Sequence, residues 1–108
     1  MTYKRGDVYW VQEGPTQGSE MKKTRPWILV GANPLNKARS TVIAVPLSTQ
    51  VKEIPGLSVK IILNGTSSCA VLDQIRALDK SRLTRQEGSL AQYEIDLIDE
   101  GLRKVLSL

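Results

Sequence analysis

The sequence predicts an α+β protein, a small and strongly bent β-barrel with a C-terminal amphipathic helix. Three observations carry this. Residues 7–78 are a succession of short β-branched and aromatic runs broken by turn residues. From Leu90 onward the apolar period changes to helical spacing. The 108 residues fit one domain, spanning 1–108, at roughly 100–200 residues per domain, and no shift in composition marks a linker.

The first strand is expected at Asp7–Gln12, where Val8, Trp10 and Gln12 alternate with Asp7, Tyr9 and Val11. Trp27–Gly31 reads as a second, short and apolar on both faces. Thr41–Leu47 reads as a third, with Pro46 expected at its end or on a sheet edge because proline cannot donate to a ladder. Leu57–Leu63 is the fourth. Cys69–Leu72 and Gln74–Leu78 form a fifth and sixth, or one bent strand. Asn64-Gly65 is a hairpin signal between the fourth and fifth. Leu90, Leu97, Ile98, Gly101, Leu102, Val105 and Leu106 then mark a helix over Ala91–Leu106, with Ser89 as its expected cap. Acids early and Arg103 and Lys104 late suit the helix dipole. Gly101 weakens such a helix by about 1 kcal/mol relative to Ala, and its small size suits close packing on the sheet. Two connections are long, Glu13–Thr24 and Ser48–Pro55, and long loops in small domains are usually functional or disordered.

Composition excludes several chemistries. There is no histidine and one cysteine. A Ser-His-Asp triad, a His–Cys pair, a His-based zinc site, a multi-cysteine metal site and an internal disulfide are therefore ruled out. Cys69 lies in an apolar run and is expected to be an inert buried thiol. No apolar run approaches the ~20 residues of a membrane span, and the N-terminus has no apolar signal region, so a cytoplasmic location is expected. Net charge is +4. Residues 1–60 carry nine Lys/Arg against four Asp/Glu, whereas 61–108 carry six against seven. A basic first half suits a polyanionic partner.

Several blocks resemble the MazF/PemK/Kid family of toxin endoribonucleases, in family order along the chain. They are Gly6-Asp7-Val8-Tyr9-Trp10, Pro15-Thr16-Gln17-Gly18-Ser19-Glu20, Arg25-Pro26, Val45-Pro46-Leu47-Ser48-Thr49-Gln50 and Asp73-Gln74-Ile75-Arg76-Ala77-Leu78-Asp79-Lys80-Ser81-Arg82-Leu83. The resemblance implies a PemK-like barrel related to SH3-type barrels, working as a homodimer. It also implies metal-independent, cofactor-free cleavage of single-stranded RNA at short motifs, and neutralisation by a cognate antitoxin.

That chemistry uses the substrate's 2′-OH as nucleophile and ends in a 2′,3′-cyclic phosphate and a 5′-OH. The resemblance places the catalytic arginine at Arg25, whose planar fork matches phosphate oxygens and whose charge offsets developing negative charge. Ser48 matches the family's functional hydroxyl, and Thr49 is one register away. The base is a carboxylate, Glu20 or Asp73, because arginine stays protonated at neutral pH. The Kid branch's scheme does not transfer intact: Val71 stands where that branch has an arginine, and the first loop has no histidine. Lys22, Lys23 and Thr24 are expected to hold phosphates, and Gln50, Gln74 and Arg76 to contact bases or backbone. Trp10 and Trp27 are a residue type that stacks on RNA bases, but inside apolar runs both are expected to fill the core, although Tyr9 and Trp10 point oppositely and one of them can reach a surface. Two other readings compete. A CcdB-like gyrase poison acts through a C-terminal Trp-Gly-Ile, but this chain ends Val105-Leu106-Ser107-Leu108 and keeps Arg25. An SH3-like RNA-binding module needs the basic loop but not Arg25 with Ser48.

Overall fold

The computed structural model describes residues 2–13 and 24–108. Seven strands and two helices follow in the order β1 (Asp7–Gln12), β2 (Thr24–Leu29), α1 (Asn33–Ala38), β3 (Thr41–Ser48), β4 (Ser58–Leu63), β5 (Thr66–Val71), β6 (Arg76–Asp79), β7 (Leu83–Ser89) and α2 (Gln92–Leu106). The neighbour order is β4-β5-β3-β2-β1-β7, with β6 also on β3, and every pairing is antiparallel. The α+β reading with a C-terminal helix holds.

Alternation along β1, β2 and β3 makes two cores, one on each face of the sheet. Val8, Ile28, Val45 and Leu47 face α2, where Ile98 is 1% exposed. Tyr9, Val11, Trp27, Leu29, Val42 and Ala44 face the other way and meet Leu78 and Leu83. Arg5 fastens the lead-in to β1 onto α2 through an ion pair with Asp99.

Several expectations need correction. β2 begins at Thr24 rather than Trp27, so Arg25 lies in the strand, opposite Val11. Helix α1 and strand β7 were not expected. Strand β7 reads Leu-Thr-Arg-Gln-Glu-Gly-Ser, with only its first residue buried, so its hydrophobic pattern is silent. Its place comes from pairing with β1, through two register irregularities that sharpen the local twist. The expected fifth and sixth strands shift to Thr66–Val71 and Arg76–Asp79, around a 3₁₀ turn at Leu72–Gln74.

Pro46 is neither terminal nor on an edge strand; it is fully buried inside β3. Val30 N–H donates to Ile43 O at 2.9 Å, so alternate residues Ile43, Val45 and Leu47 turn their backbone groups toward β2. Pro46 therefore faces the other edge. There the β6 ladder ends at Ala44 and the β5 ladder begins at Leu47. The missing N–H falls in the gap between two partners.

The helix starts one residue later than expected, and Ser89 does not cap it. Ser89 Oγ donates to Asp7 Oδ1 at 3.0 Å, while the Glu94 carboxylate accepts the Ala91 N–H at 3.0 Å and satisfies a donor at the helix start. Gly101 meets its expectation: a Cβ there would lie 2.3 Å from Leu72 Cδ1. Asn64 and Gly65 both have positive φ, 51° and 82°, as a two-residue hairpin turn requires.

Candidate active site

One cleft of about 430 Å³ opens where the end of β1, the start of β2 and the end of β3 meet the β4–β5 hairpin and β7. Arg25, Ser48, Thr49, Gln50 and Thr24 all line it. Thr24 and Arg25 are separated in sequence from Ser48, Thr49 and Gln50 by the rest of β2, α1 and β3, and they converge because β2 and β3 run antiparallel, Trp27 opposite Pro46.

Arg25 is held from one side. Its Nε lies 3.5 Å from Glu13 Oε1, and Glu13 Oε2 accepts the Trp27 indole N–H at 2.5 Å. Glu13 extends the β1 alternation two residues past Val11, which brings it beside Arg25. Among the described residues no partner engages the Arg25 Nη groups, so both can meet an anion. The Arg25 side chain is 37% exposed, so the ion pair orients more than it stabilises.

Ser48 is 9% exposed. Its Oγ accepts the backbone N–H groups of Gln50 and Val51, each at 3.1 Å. These bonds fix the turn after β3 and occupy the oxygen's lone pairs, leaving the O–H proton to be donated. Thr49 is exposed on the same rim.

Other predicted residues sit apart from this cleft. Asp73 and Gln74 are exposed in the 3₁₀ turn after β5, outside the cleft lining. Arg76 is exposed on β6, its guanidinium 6.0 Å from the centroid of the Trp27 ring. It connects to Arg25 through Trp27 and Glu13. Glu20, Lys22 and Lys23 lie outside the described residues. Trp27, 3% exposed, fills the core as expected, and Cys69 is buried. Trp10 does not: it is half-buried and lines the cleft.

Sequence reading passed over Glu13, Asn64 and Glu87. The alternation of β1, carried two residues further, is the signal that points to Glu13. Nothing local points to Glu87, because its strand was not legible. Hydrogen bonds from Trp10 and Asn64, aided by Arg85, hold the Glu87 carboxyl below its ordinary pKa against a small burial effect. It stays ionised near neutral pH and is a weak proton acceptor.

Solved structures supply the class. An endoribonuclease bound to its cognate antitoxin, from a mycobacterial species, matches with TM-score 0.81 at 24% identity over 99% of this chain and 97% of that one. The MazE–MazF structure from Deinococcus radiodurans matches with TM-score 0.86 at 22% identity, over 100% and 98%. The chain thus shares the small curled-sheet fold of these proteins. In sequence the chain is 32% identical to endoribonuclease MazF6 of Mycobacterium tuberculosis over the whole of both chains. It is 31% identical to endoribonuclease EndoA of Bacillus subtilis over 100% of this chain and 97% of that protein. The model of PemK-like, MazF-like toxins of type II toxin–antitoxin systems matches residues 4–106, and the chain belongs to that family.

Proposed function

We propose that this protein is a toxin endoribonuclease that cuts single-stranded RNA, including mRNA, at short motifs in the cytoplasm, without a metal ion. One juxtaposition carries the reading: a guanidinium whose Nη groups have no partner among the described residues and a hydroxyl with a proton to give share one cleft. The 2′-oxygen attacks the adjacent phosphorus as its proton passes to a carboxylate. Arg25 Nη groups stabilise the non-bridging oxygens as charge builds. The bond to the 5′-oxygen breaks, and Ser48 donates a hydrogen bond or proton to that leaving oxygen. Products are a 2′,3′-cyclic phosphate and a 5′-OH. Asp73 does not line the cleft, and Glu20 is taken as the proton acceptor. Glu13 orients Arg25. Thr24 and Gln50 border the phosphate path, Lys22 and Lys23 add sequence-independent affinity, and Gln74 and Arg76 meet the strand beyond the cleft. A homodimer lengthens the groove to several nucleotides, and a cognate antitoxin occludes it.

The test is incubation of end-labelled single-stranded RNA in excess chelator with wild type and with Arg25→Ala. Cyclic-phosphate ends are expected from wild type, and a loss of about 10²–10³-fold in rate from the variant, the size seen when a transition-state donor is removed. Wild-type protein that leaves a diverse RNA pool uncut refutes the reading.

A further inference from the structure

Glu87 is an anomaly in a cleft built for a polyanion. A carboxylate there repels phosphate unless its charge is otherwise engaged. Both of its oxygens are engaged. Oε1 accepts the Trp10 indole N–H at 2.6 Å and Arg85 Nη1 at 3.0 Å. Oε2 accepts Asn64 Nδ2 at 2.6 Å, and the same Nδ2 reaches the Glu87 carbonyl at 3.2 Å. Arg85 also lies 5.2 Å from the Trp10 ring centroid. Asn64 is the first residue of the β4–β5 turn, in the left-handed region, and the adjacent Leu63 packs close enough to Gly88 that a Cβ there would lie 3.3 Å away. One carboxylate therefore ties together three pieces of the cleft wall: the β1 tryptophan, the tip of the β4–β5 hairpin, and β7.

We propose that Glu87 is a positioning residue that holds Trp10 as the stacking platform for a nucleobase of the RNA beside Arg25 and Ser48. This rests on the endoribonuclease reading and adds to it a determinant of substrate preference. The indole is amphipathic. Its N–H is tied to Glu87, which sets the plane of the ring, and its apolar surface borders a cleft already lined by Pro26, Leu47 and Leu63. A flat apolar wall next to a phosphate-binding arginine is what a splayed-out base requires. Because the hairpin tip hangs on the same carboxylate, the width of that slot depends on Glu87 as well.

Two measurements test this. The first is steady-state cleavage of a preferred oligonucleotide together with the cleavage-site profile on a mixed RNA pool. Glu87→Ala is expected to raise KM about tenfold, within the range lost with one stacked base, while kcat changes less than about threefold. Its site preference is expected to broaden. Trp10→Ala should do the same, and the double variant should be no worse than either alone. Glu87→Gln, whose amide oxygen still accepts the indole N–H, should recover most of the loss. The second is fluorescence-anisotropy binding of a labelled single-stranded RNA in the Arg25→Ala background, where adding Glu87→Ala should weaken binding about tenfold. If Glu87→Ala does not fold, Trp10→Phe, which removes the indole N–H and leaves a smaller aromatic ring, and Asn64→Ala, which frees the hairpin, take its place in both measurements. Unchanged KM, profile and binding in these variants overturn the proposal while wild-type cleavage leaves the ribonuclease reading standing. Wild type that binds RNA through Trp10 and Glu87 but never cuts it overturns the ribonuclease reading instead.

Discussion

Ser48 and Thr49 are adjacent hydroxyls in one motif, and the structure separates them by their hydrogen bonds. Ser48 is buried, and its oxygen accepts two backbone N–H groups, which leaves its proton to be donated, whereas Thr49 is exposed. Ser48→Ala should therefore lower kcat by about 10²-fold, at the low end for loss of a general acid, with Thr49→Ala within about threefold of wild type. Single-turnover cleavage measures both, and equal losses would mean that the two share the role. At this scale the sequence was legible where a chemical demand is local. Arginine beside phosphate and a hydroxyl at a strand end are properties of residue type and motif. The partner of Arg25 was not legible, since Glu13 reads as the first residue of a loop until β1 is seen to carry its alternation past Gln12.

Elements were read well where one face is buried and poorly where none is. Strand β1 was placed at its observed limits and α2 within one residue at its start, because alternation and the 3.6-residue period record which face meets the core. Strand β7 carries no such record, being polar beyond Leu83, and Pro46 contradicts its own strand until the gap between β5 and β6 is known. Helix α2 offers a test at this scale. Gly101→Ala gains about 1 kcal/mol of helix propensity, but its methyl would meet Leu72 Cδ1 at 2.3 Å. Leu72 is fully buried, so any shift of its side chain disturbs the core, and overpacking of about 1–3 kcal/mol prevails. Urea unfolding should show a lower midpoint at unchanged slope; a rise in the midpoint would mean that Leu72 repacks freely.

At the scale of the whole molecule, the sheet curls over two cores, and its open end forms the cleft. A groove long enough for several nucleotides then calls for a second copy. Sedimentation at micromolar concentration should give about twice the 12.0 kDa chain mass, and a strict monomer there would remove the dimer from the mechanism. The sequence by itself determined the α+β class, the absence of histidine chemistry, the strands with a buried face and the terminal helix, and it nominated Arg25 and Ser48 as candidate site residues. These follow from residue chemistry and short-range periodicity, which any window of the chain contains. Only the tertiary structure decided that Asp73 stands apart from the cleft. It alone decided that Glu13 holds Arg25, that Trp10 leaves the core for the cleft wall, and that Glu87 joins Trp10 to Asn64. Trp10 and Glu87 are 77 residues apart in the chain. Their contact depends on the curl and pairing of the entire sheet, a property that no local stretch of sequence carries.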